Sequence, residues 1–515
     1  MLQLTNRRLT LAAMALSVIA VLPASGQTLN EDLKIYSSDG DILDLFGYSI
    51  AIDDRVVAVG SPFDDDIPAD SGSVYLYDAF TGMLIDKLFP NDAASADRFG
   101  WSISMDNGII AVGAPRILTN DPGSAYLFDA STGVQVAKLT ANDAQAGDQF
   151  GFSISIANGI VAVGARFDDD AGADSGSAYL FDAFTGVQIA KLIASDAESG
   201  DEFGYSNAID NGVVAVGSYH DGDNGAQSGS AYLFDASTGT QLFKLLPSDG
   251  AAMDQFGWSM AIENEVVVVG ASELTGAIAG SAYLFDTTTG TQLFKLLPND
   301  AGDSDNFGYS VSIDNGIVAV GSQFASNNSI QTGSAYLFVA STGAQIAKLI
   351  ASDGTAGDLF GSSIAIANGI VAVGAYFGDG KDGDTGSAYL FNTLPIALLQ
   401  PQSTIVDAGE TASFELVLND ETGVSYQWRH DGVDLADGNN ITGTNTTTLQ
   451  IIAEASDVGF YDCVYSTQTA SFLTDQAALG VRPDPNACVA DLTNDGILNF
   501  FDVSAFLQAF GKGCP

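Results

Sequence analysis

Basic residues are scarce in this chain: 17 lysines and arginines stand against 64 aspartates and glutamates in 515 residues, a formal charge of −47. Such a polyanion repels nucleic acid and anionic lipid, so neither is an expected partner. It attracts divalent cations and basic surfaces, and high acidity is equally the mark of a soluble extracellular protein. Histidine is rarer still. His220 and His430 fall in different parts of the chain, and neither has a cysteine or serine motif beside it. No His-rich metal set, nucleophile elbow or phosphate loop is present. Paired carboxylates can hydrolyse glycosides, but every close Asp pair here is repeated or sits in an acidic loop, whereas a catalytic pair is unique. The chain reads as non-enzymatic.

Long apolar runs are missing too, with one exception. Arg7 and Arg8 precede an apolar run over residues 9–22, followed by Pro23 and the small residues Ala24, Ser25 and Gly26. This is a secretory signal over residues 1–26, cut before Gln27 and too short to serve as a membrane span. No other segment is long and apolar enough to cross a bilayer, so the mature chain is expected to be secreted or held at the cell surface. Cysteine is limited to Cys463, Cys488 and Cys514. The last two bracket one short C-terminal unit and can oxidise in an exported protein.

What is abundant is repetition. A Phe-Gly pair recurs at 46, 99, 150, 203, 256, 307 and 360, with spacings of 51 or 53 residues. A fixed period of that size calls for a repeat architecture. Each period holds four strand-like runs, seen in the third copy as FGFSISI (150–156), IVAVG (160–164), SAYLF (177–181) and QIAKL (188–192). Alternation, β-branched residues and the Asn-Gly between the first two runs support strands joined by a hairpin. Seven repeats of four strands predict a mainly β fold, a seven-bladed β-propeller over residues 27–392. The last repeat lacks a fourth strand, and LKIYS (33–37) supplies it from the other end of the chain.

Phe-Gly followed by VAVGA or VAVGS resembles the FG-GAP repeat of integrin alpha chains and of many bacterial surface proteins. The resemblance covers residues 33–392 and implies an integrin-alpha-like propeller. Calcium-binding members carry an Asp-rich DxDxDG loop between the first two strands. Here that turn is IDNG or IANG, so those calcium sites are not carried over.

In an up-and-down blade, the connections after strands two and four share one face. The fourth-to-first connection always reads Asp-x4-Asp-x-Phe-Gly, from Asp39/Asp44 to Asp353/Asp358. Sevenfold identity points to architecture, since Asp side chains bond turn backbone. The second-to-third connection is ten residues long in copies two and five and twelve elsewhere, and is the least constant part of the repeat. Its acidic examples are Asp64, Asp65, Asp66 and Asp70; Asp168, Asp169, Asp170 and Asp174; Asp221 and Asp223; and Asp379, Asp382 and Asp384. Variable loops on a rigid scaffold are where binding sits. These residues are candidates for a ligand face or for cation binding, against the alternative of solvated acidic loops.

Over residues 396–482 the period stops. GETASFELVL (409–418), YQW (426–428), TTLQI (447–451) and DVGFYDC (457–463) read as successive strands and resemble an immunoglobulin-like domain. The resemblance implies Trp428 as the core tryptophan and Tyr461 as the tyrosine corner. Leu416 takes the place of the first cysteine, so the inter-sheet disulfide is absent and Cys463 is expected as a buried free thiol. A spacer role fits.

Residues 483–515 carry the most specific chemistry. Asp491, Thr493, Asp495, the Ile497 carbonyl, Asn499 and Asp502 have the spacing of a calcium loop, with Gly496 at the sharp turn. A helix is expected after the loop, with Phe500, Val503, Leu507 and Phe510 on one face. The unit resembles one loop-helix half of a GC-type dockerin, an EF-hand-like anchoring module. It departs from the pattern in Thr493 at position three and in having one unit where dockerins have two. The expected cofactor is Ca²⁺. A Cys488–Cys514 disulfide would close a loop of about 25 residues and contribute roughly 3–4 kcal/mol.

The sequence therefore describes an exported adhesion or scaffold protein. Its propeller takes an extracellular protein or glycan ligand, and its calcium-dependent tail docks on a cohesin-like or envelope partner. The alternative is a polysaccharide-binding or polysaccharide-degrading component of an extracellular assembly attached by the same tail.

Overall fold

A computed structural model describes residues 27–482, apart from 67, 118–120, 273–278, 328–329, 381–382, 393–396, 400, 419–420, 422–423, 439, 467–470 and 475. The expected secretory signal, Asp382, the calcium loop from Asp491 to Asp502, and Cys488 and Cys514 lie outside the described residues. The chain forms two compact units, with the boundary between residues 394 and 395.

In the first unit each repeat is a sheet of four antiparallel strands. Blade three runs Phe150–Ala157, Ile160–Ala165, Ser177–Asp182 and Gln188–Leu192 in sequence order. Blade seven holds Ser363–Ala367, Ile370–Ala375 and Ser387–Asn392, and Leu33–Ile35 pairs antiparallel with the last of these as its fourth strand. The ring is thus closed by the two ends of the repeat region. An additional strand, Gln27–Asn30, lies parallel to Ala344–Ile350 and gives blade six a fifth strand. Periodicity had no means of revealing it, because it has no counterpart in the other repeats.

The repeat is sequence-constant where neighbouring blades touch. The Phe of each Phe-Gly is fully buried and meets two aromatics of its own third strand edge-on, as Phe203 meets Tyr232 and Phe234. The Gly after it has φ near +90°, and at Gly100 a Cβ would stand 2.6 Å from the Ser73 carbonyl of the preceding blade. Only glycine fits both demands. Two residues on, a serine hydroxyl donates across the junction to the next blade's glycine carbonyl. Ser49 reaches Gly100, Ser102 reaches Gly151 and Ser153 reaches Gly204. Ser206 reaches Gly257, Ser259 reaches Gly308, Ser310 reaches Gly361 and Ser363 returns to Gly47, all at 2.7–2.9 Å. This circle of bonds has no loose end.

The second unit contains a two-stranded sheet, Ala397–Leu399 with Val417–Leu418, and two larger sheets. One orders Thr404–Asp407, Ala477–Arg482, Gly459–Ser466, Ser425–His430 and Val433–Asp434; the other orders Thr411–Glu415, Thr448–Ile452 and Ile441–Thr442. Trp428, Leu416, Tyr461 and Cys463 share its buried core. Trp428 Nε1 donates to the Thr446 carbonyl and the Tyr461 hydroxyl to the Asp457 carbonyl, both at 2.8 Å. Cys463 is a free thiol, and burial pushes its pKa up to about 12. A thiol so protected from ionisation is unreactive.

Candidate ligand-binding face

The repeated aspartates divide into two sets with different work. The second of each pair caps its own turn, accepting from the backbone N–H three residues earlier. Asp44 accepts from Asp41, Asp97 from Ala94, Asp148 from Gln145 and Asp201 from Glu198; Asp254, Asp305 and Asp358 repeat the bond, all at 2.7 Å. Burial nevertheless raises Asp44 to about 7 and Asp148 to about 6, against the backbone bond that favours the anion.

The first of each pair meets a lysine from the fourth strand. Lys87 pairs with Asp39, Lys138 with Asp92, Lys191 with Asp143, Lys244 with Asp196, Lys295 with Asp249, Lys348 with Asp300 and Lys34 with Asp353. Each ammonium also lies over the ring of a third-strand tyrosine, 4.6–5.3 Å from its centroid. Seven of the chain's nine lysines are used this way. Burial alone would raise Asp39, but hydrogen bonds from Lys87 and Tyr75 outweigh it and hold the carboxyl below its ordinary range.

Three of the acidic connections join this cluster. In blade four, Lys244 Nζ lies 2.7 Å from Asp196, 2.9 Å from Asp221 and 2.6 Å from Asp223. Lys87 binds Asp39, Asp64 and Asp66, and Lys191 binds Asp143, Asp168 and Asp170. Asp64, Asp168 and Asp221 are buried, so the expectation of solvated acidic loops fails for them. Each is drawn inward by a lysine and a tyrosine hydroxyl, the latter at 2.7–2.8 Å. A lysine ammonium stands where a cation would be bound. Of the remaining candidates, Asp70 faces Arg98 at 3.0 Å and Asp169 accepts from the Asp174 N–H at 2.8 Å. The Asp379 carbonyl accepts from Lys34 at 2.7 Å, and Asp65 and Asp384 are exposed.

The same face carries a second feature at the ring axis. First strands of all seven blades line a central cavity of about 290 Å³, with Ile52, Met105, Ile156, Ile209, Ile262, Ile313 and Ile366 among its walls. Its mouth is ringed by the residue that comes after each Phe-Gly. Tyr48, Trp101, Phe152, Tyr205, Trp258 and Tyr309 form a chain of tilted rings whose successive centroids are 4.6–5.7 Å apart. Blade seven has Ser362 there, and Tyr376 from its second-to-third connection contacts Tyr48 at 5.5 Å to fill the gap.

Immediately before each Phe-Gly the chain enters the left-handed region. Leu45, Arg98, Gln149, Glu202, Gln255, Asn306 and Leu359 have φ of +53° to +61°. None is glycine, and no consensus joins them. Around blades three and four these side chains are tied together. Arg166 Nε donates to Gln149 Oε1 at 2.9 Å and Arg166 pairs with Glu202 at 3.3 Å, while His220 faces Glu202 at 3.0 Å. Arg166 also covers the Phe152 ring at 4.0 Å.

The repeat pattern pointed to this face and its loops but not to either axial ring. An aromatic after six of seven Phe-Gly pairs was the available signal. The left-handed residues gave none, because their identities differ.

Residues 29–77, 83–128, 134–181, 187–234, 240–285, 291–338 and 344–391 match the FG-GAP repeat family. No curated protein matches the chain. Among solved structures it is similar to titin M4 in a trigonal form, at 29% identity over 17% of this chain and 95% of that one, with a TM-score of 0.16. It is similar also to the titin M10–obscurin-like 1 Ig complex, at 24% identity over 18% and 96%, TM-score 0.16. A europium-containing methanol dehydrogenase aligns at 11% identity over 63% and 73%, TM-score 0.37. Scores this low carry no argument about fold or function.

Proposed function

This chain belongs to the FG-GAP repeat family, and we propose on that premise that it is an exported, non-enzymatic adhesion or scaffold protein whose propeller binds a protein or glycan ligand. The observation that carries the reading is the axial mouth. Seven side chains of five kinds are held in a costly backbone conformation around a ring of aromatics, on a scaffold otherwise repeated almost verbatim. Strained positions that retain bulky residues are where binding sites form. No helix among the described residues is long and apolar enough to cross a membrane.

In this reading the second unit is an immunoglobulin-like spacer. The sheet pairing, the buried Trp428 and the Tyr461–Asp457 bond support it. Residues 483–515 form the dockerin-like anchor: Asp491, Thr493, Asp495, Ile497, Asn499 and Asp502 hold Ca²⁺, and Cys488–Cys514 staples the unit. The anchoring partner is a cohesin-like or envelope protein.

The test is retention on an envelope fraction of the source organism, comparing the mature chain with a 27–482 truncation, each with calcium and with EDTA. Retention lost on truncation and on EDTA is the expected outcome. Retention unchanged by either would move the attachment to the propeller or the second unit and overturn the assignment of roles.

A further inference from the structure

The mouth of the propeller is not uniform around its axis. Two positions flank the aromatic in the six blades that have one: the left-handed residue before Phe-Gly, and the residue after the Ala or Ser that ends the second strand. In blade three these are Gln149 and Arg166, which bond each other beside Phe152. The corresponding pairs are Gln255 and Ser272 beside Trp258 in blade five, and Asn306 and Gln323 beside Tyr309 in blade six. There no such bond joins the two members, although the Gln323 side chain hydrogen-bonds Tyr309. Gln255 Oε1, Ser272 Oγ, Asn306 Nδ2 and Gln323 Oε1 are buried atoms without a hydrogen-bond partner. They are four of the twelve such side-chain atoms among the described residues, gathered in two adjacent blades. The residues that carry them are 7%, 0%, 1% and 4% exposed.

A buried polar atom left unpaired costs about 1–3 kcal/mol, and native proteins keep few of them. Four together, two amide oxygens, one amide nitrogen and one hydroxyl, form a set of acceptors and donors with no net charge. Beside them Trp258 and Tyr309 are half-buried, with centroids 5.5 Å apart. Uncharged donors and acceptors next to aromatic rings are what a hydroxyl-rich, apolar-faced ring needs. An anion or cation would find no opposite charge among these six side chains.

We propose that the mouth of the propeller at blades five and six is a binding site for a neutral saccharide residue, which lies against Trp258 and Tyr309 and is hydrogen-bonded by Gln255, Ser272, Asn306 and Gln323 once these buried side chains turn toward the mouth. The proposal rests on the binding role assigned to the propeller and narrows its ligand. Blade three shows how the same site is closed from within. An arginine at the position of Ser272 bonds the glutamine and lies over the aromatic ring, so Ser272→Arg is a substitution the fold already accommodates elsewhere.

The experiment is titration of the mature chain with cellobiose, maltose, N,N′-diacetylchitobiose and laminaribiose at millimolar concentration. Calorimetry gives affinity, and tryptophan fluorescence, to which Trp101, Trp258 and Trp428 contribute, gives a second readout. At least one of these disaccharides should bind saturably. Ser272→Arg, and independently Gln323→Leu, should each weaken that binding roughly tenfold or more, which is the loss of about one well-made hydrogen bond or its site. Lys138→Met, on the flank of blade two, should leave it unchanged. An unaltered thermal midpoint in either weakened variant keeps the result free of unfolding. Absence of binding by all four sugars, or binding that survives both substitutions, overturns the proposal and leaves the unpaired atoms to ordered water. Capture of an envelope protein by the propeller without sugar binding would remove this site while leaving the adhesion role intact.

Discussion

The flank of each blade and the mouth of the ring are both sevenfold features, yet they repeat different things. On the flank the side chains repeat: a lysine over a tyrosine, bonded to the first aspartate of the turn, in every blade. At the mouth the backbone repeats and the side chains do not. Seven residues share φ of +53° to +61° while running through Leu, Arg, Gln, Glu, Gln, Asn and Leu. Glycine would relieve about 1 kcal/mol at each of these positions, and it occurs at none. A position that keeps its strain and changes its chemistry is held for the side chain. A position that keeps its chemistry is held for the fold.

The flank itself is graded, and removing a lysine exposes the gradation. Lys138 and Asp92 form a pair with side chains 38% and 51% exposed, whereas Lys244 is 17% exposed and serves three carboxylates, one of them only 5% exposed. Lys244→Met should cost about 3–5 kcal/mol, because it strands a buried anion. Lys138→Met should cost less than about 1 kcal/mol, as exposed pairs do. Urea unfolding of both variants checks this, and equal losses would mean that the acidic loops add nothing to the cluster. The ligand oxygens of Asp196, Asp221 and Asp223 lie within 4.8 Å of one another. Calcium should therefore restore part of the loss in Lys244→Met, and leave the propeller's flank unaffected where the ammonium is present.

The two aspartates of one turn also part company with pH. Asp44 has its folded pKa raised to about 7, by burial first and then by the charges of Asp64, Asp65 and Asp41. In the unfolded chain it loses its proton near pH 4. Between these values the folded state holds a proton that the unfolded state has released. The stability from this group is therefore full below about pH 4 and lost as the pH rises through 7. Asp39 runs the other way: its lowered pKa contributes stability above about pH 4 that disappears on acidification. Asp44→Asn should flatten the fall in thermal midpoint between pH 4 and 7, a difference on the order of 2–3 kcal/mol across the window. A slope identical to that of the unsubstituted chain would mean that Asp44 is ionised in the folded protein throughout.

Legibility in the sequence divides along the same line. The strands, the hairpins and the closure by residues 33–37 were legible because each was written seven times. The seven lysines were legible in principle as well, since each stands just before a leucine or isoleucine near the end of its fourth strand. The strand Gln27–Asn30 was not, because it pairs with blade six alone and has no repeat to announce it. The burial of Asp64, Asp168 and Asp221 was missed for another reason. Acidic runs read as solvated unless their counter-ion is known, and the lysine lies 23 residues downstream on a different strand. The axial residues escaped because variability is silent in a single sequence until a structure shows which positions share a backbone.

The smallest expected change in stability is the one that most directly tests why the mouth differs from the flank. Gln255 has φ of +55°, and its Oε1 is buried without a partner. Gln255→Gly removes the strain and the unpaired atom together, and sets against them the greater freedom that glycine gives the unfolded chain, about 0.5–1 kcal/mol. The thermal midpoint should stay within the equivalent of about 1 kcal/mol, while disaccharide binding at blades five and six falls away. Stability unchanged and binding lost is the signature of a side chain kept for a ligand. Were the variant markedly less stable, Gln255 would be a structural residue whose partner is water, and the mouth would belong with the flank as part of the scaffold.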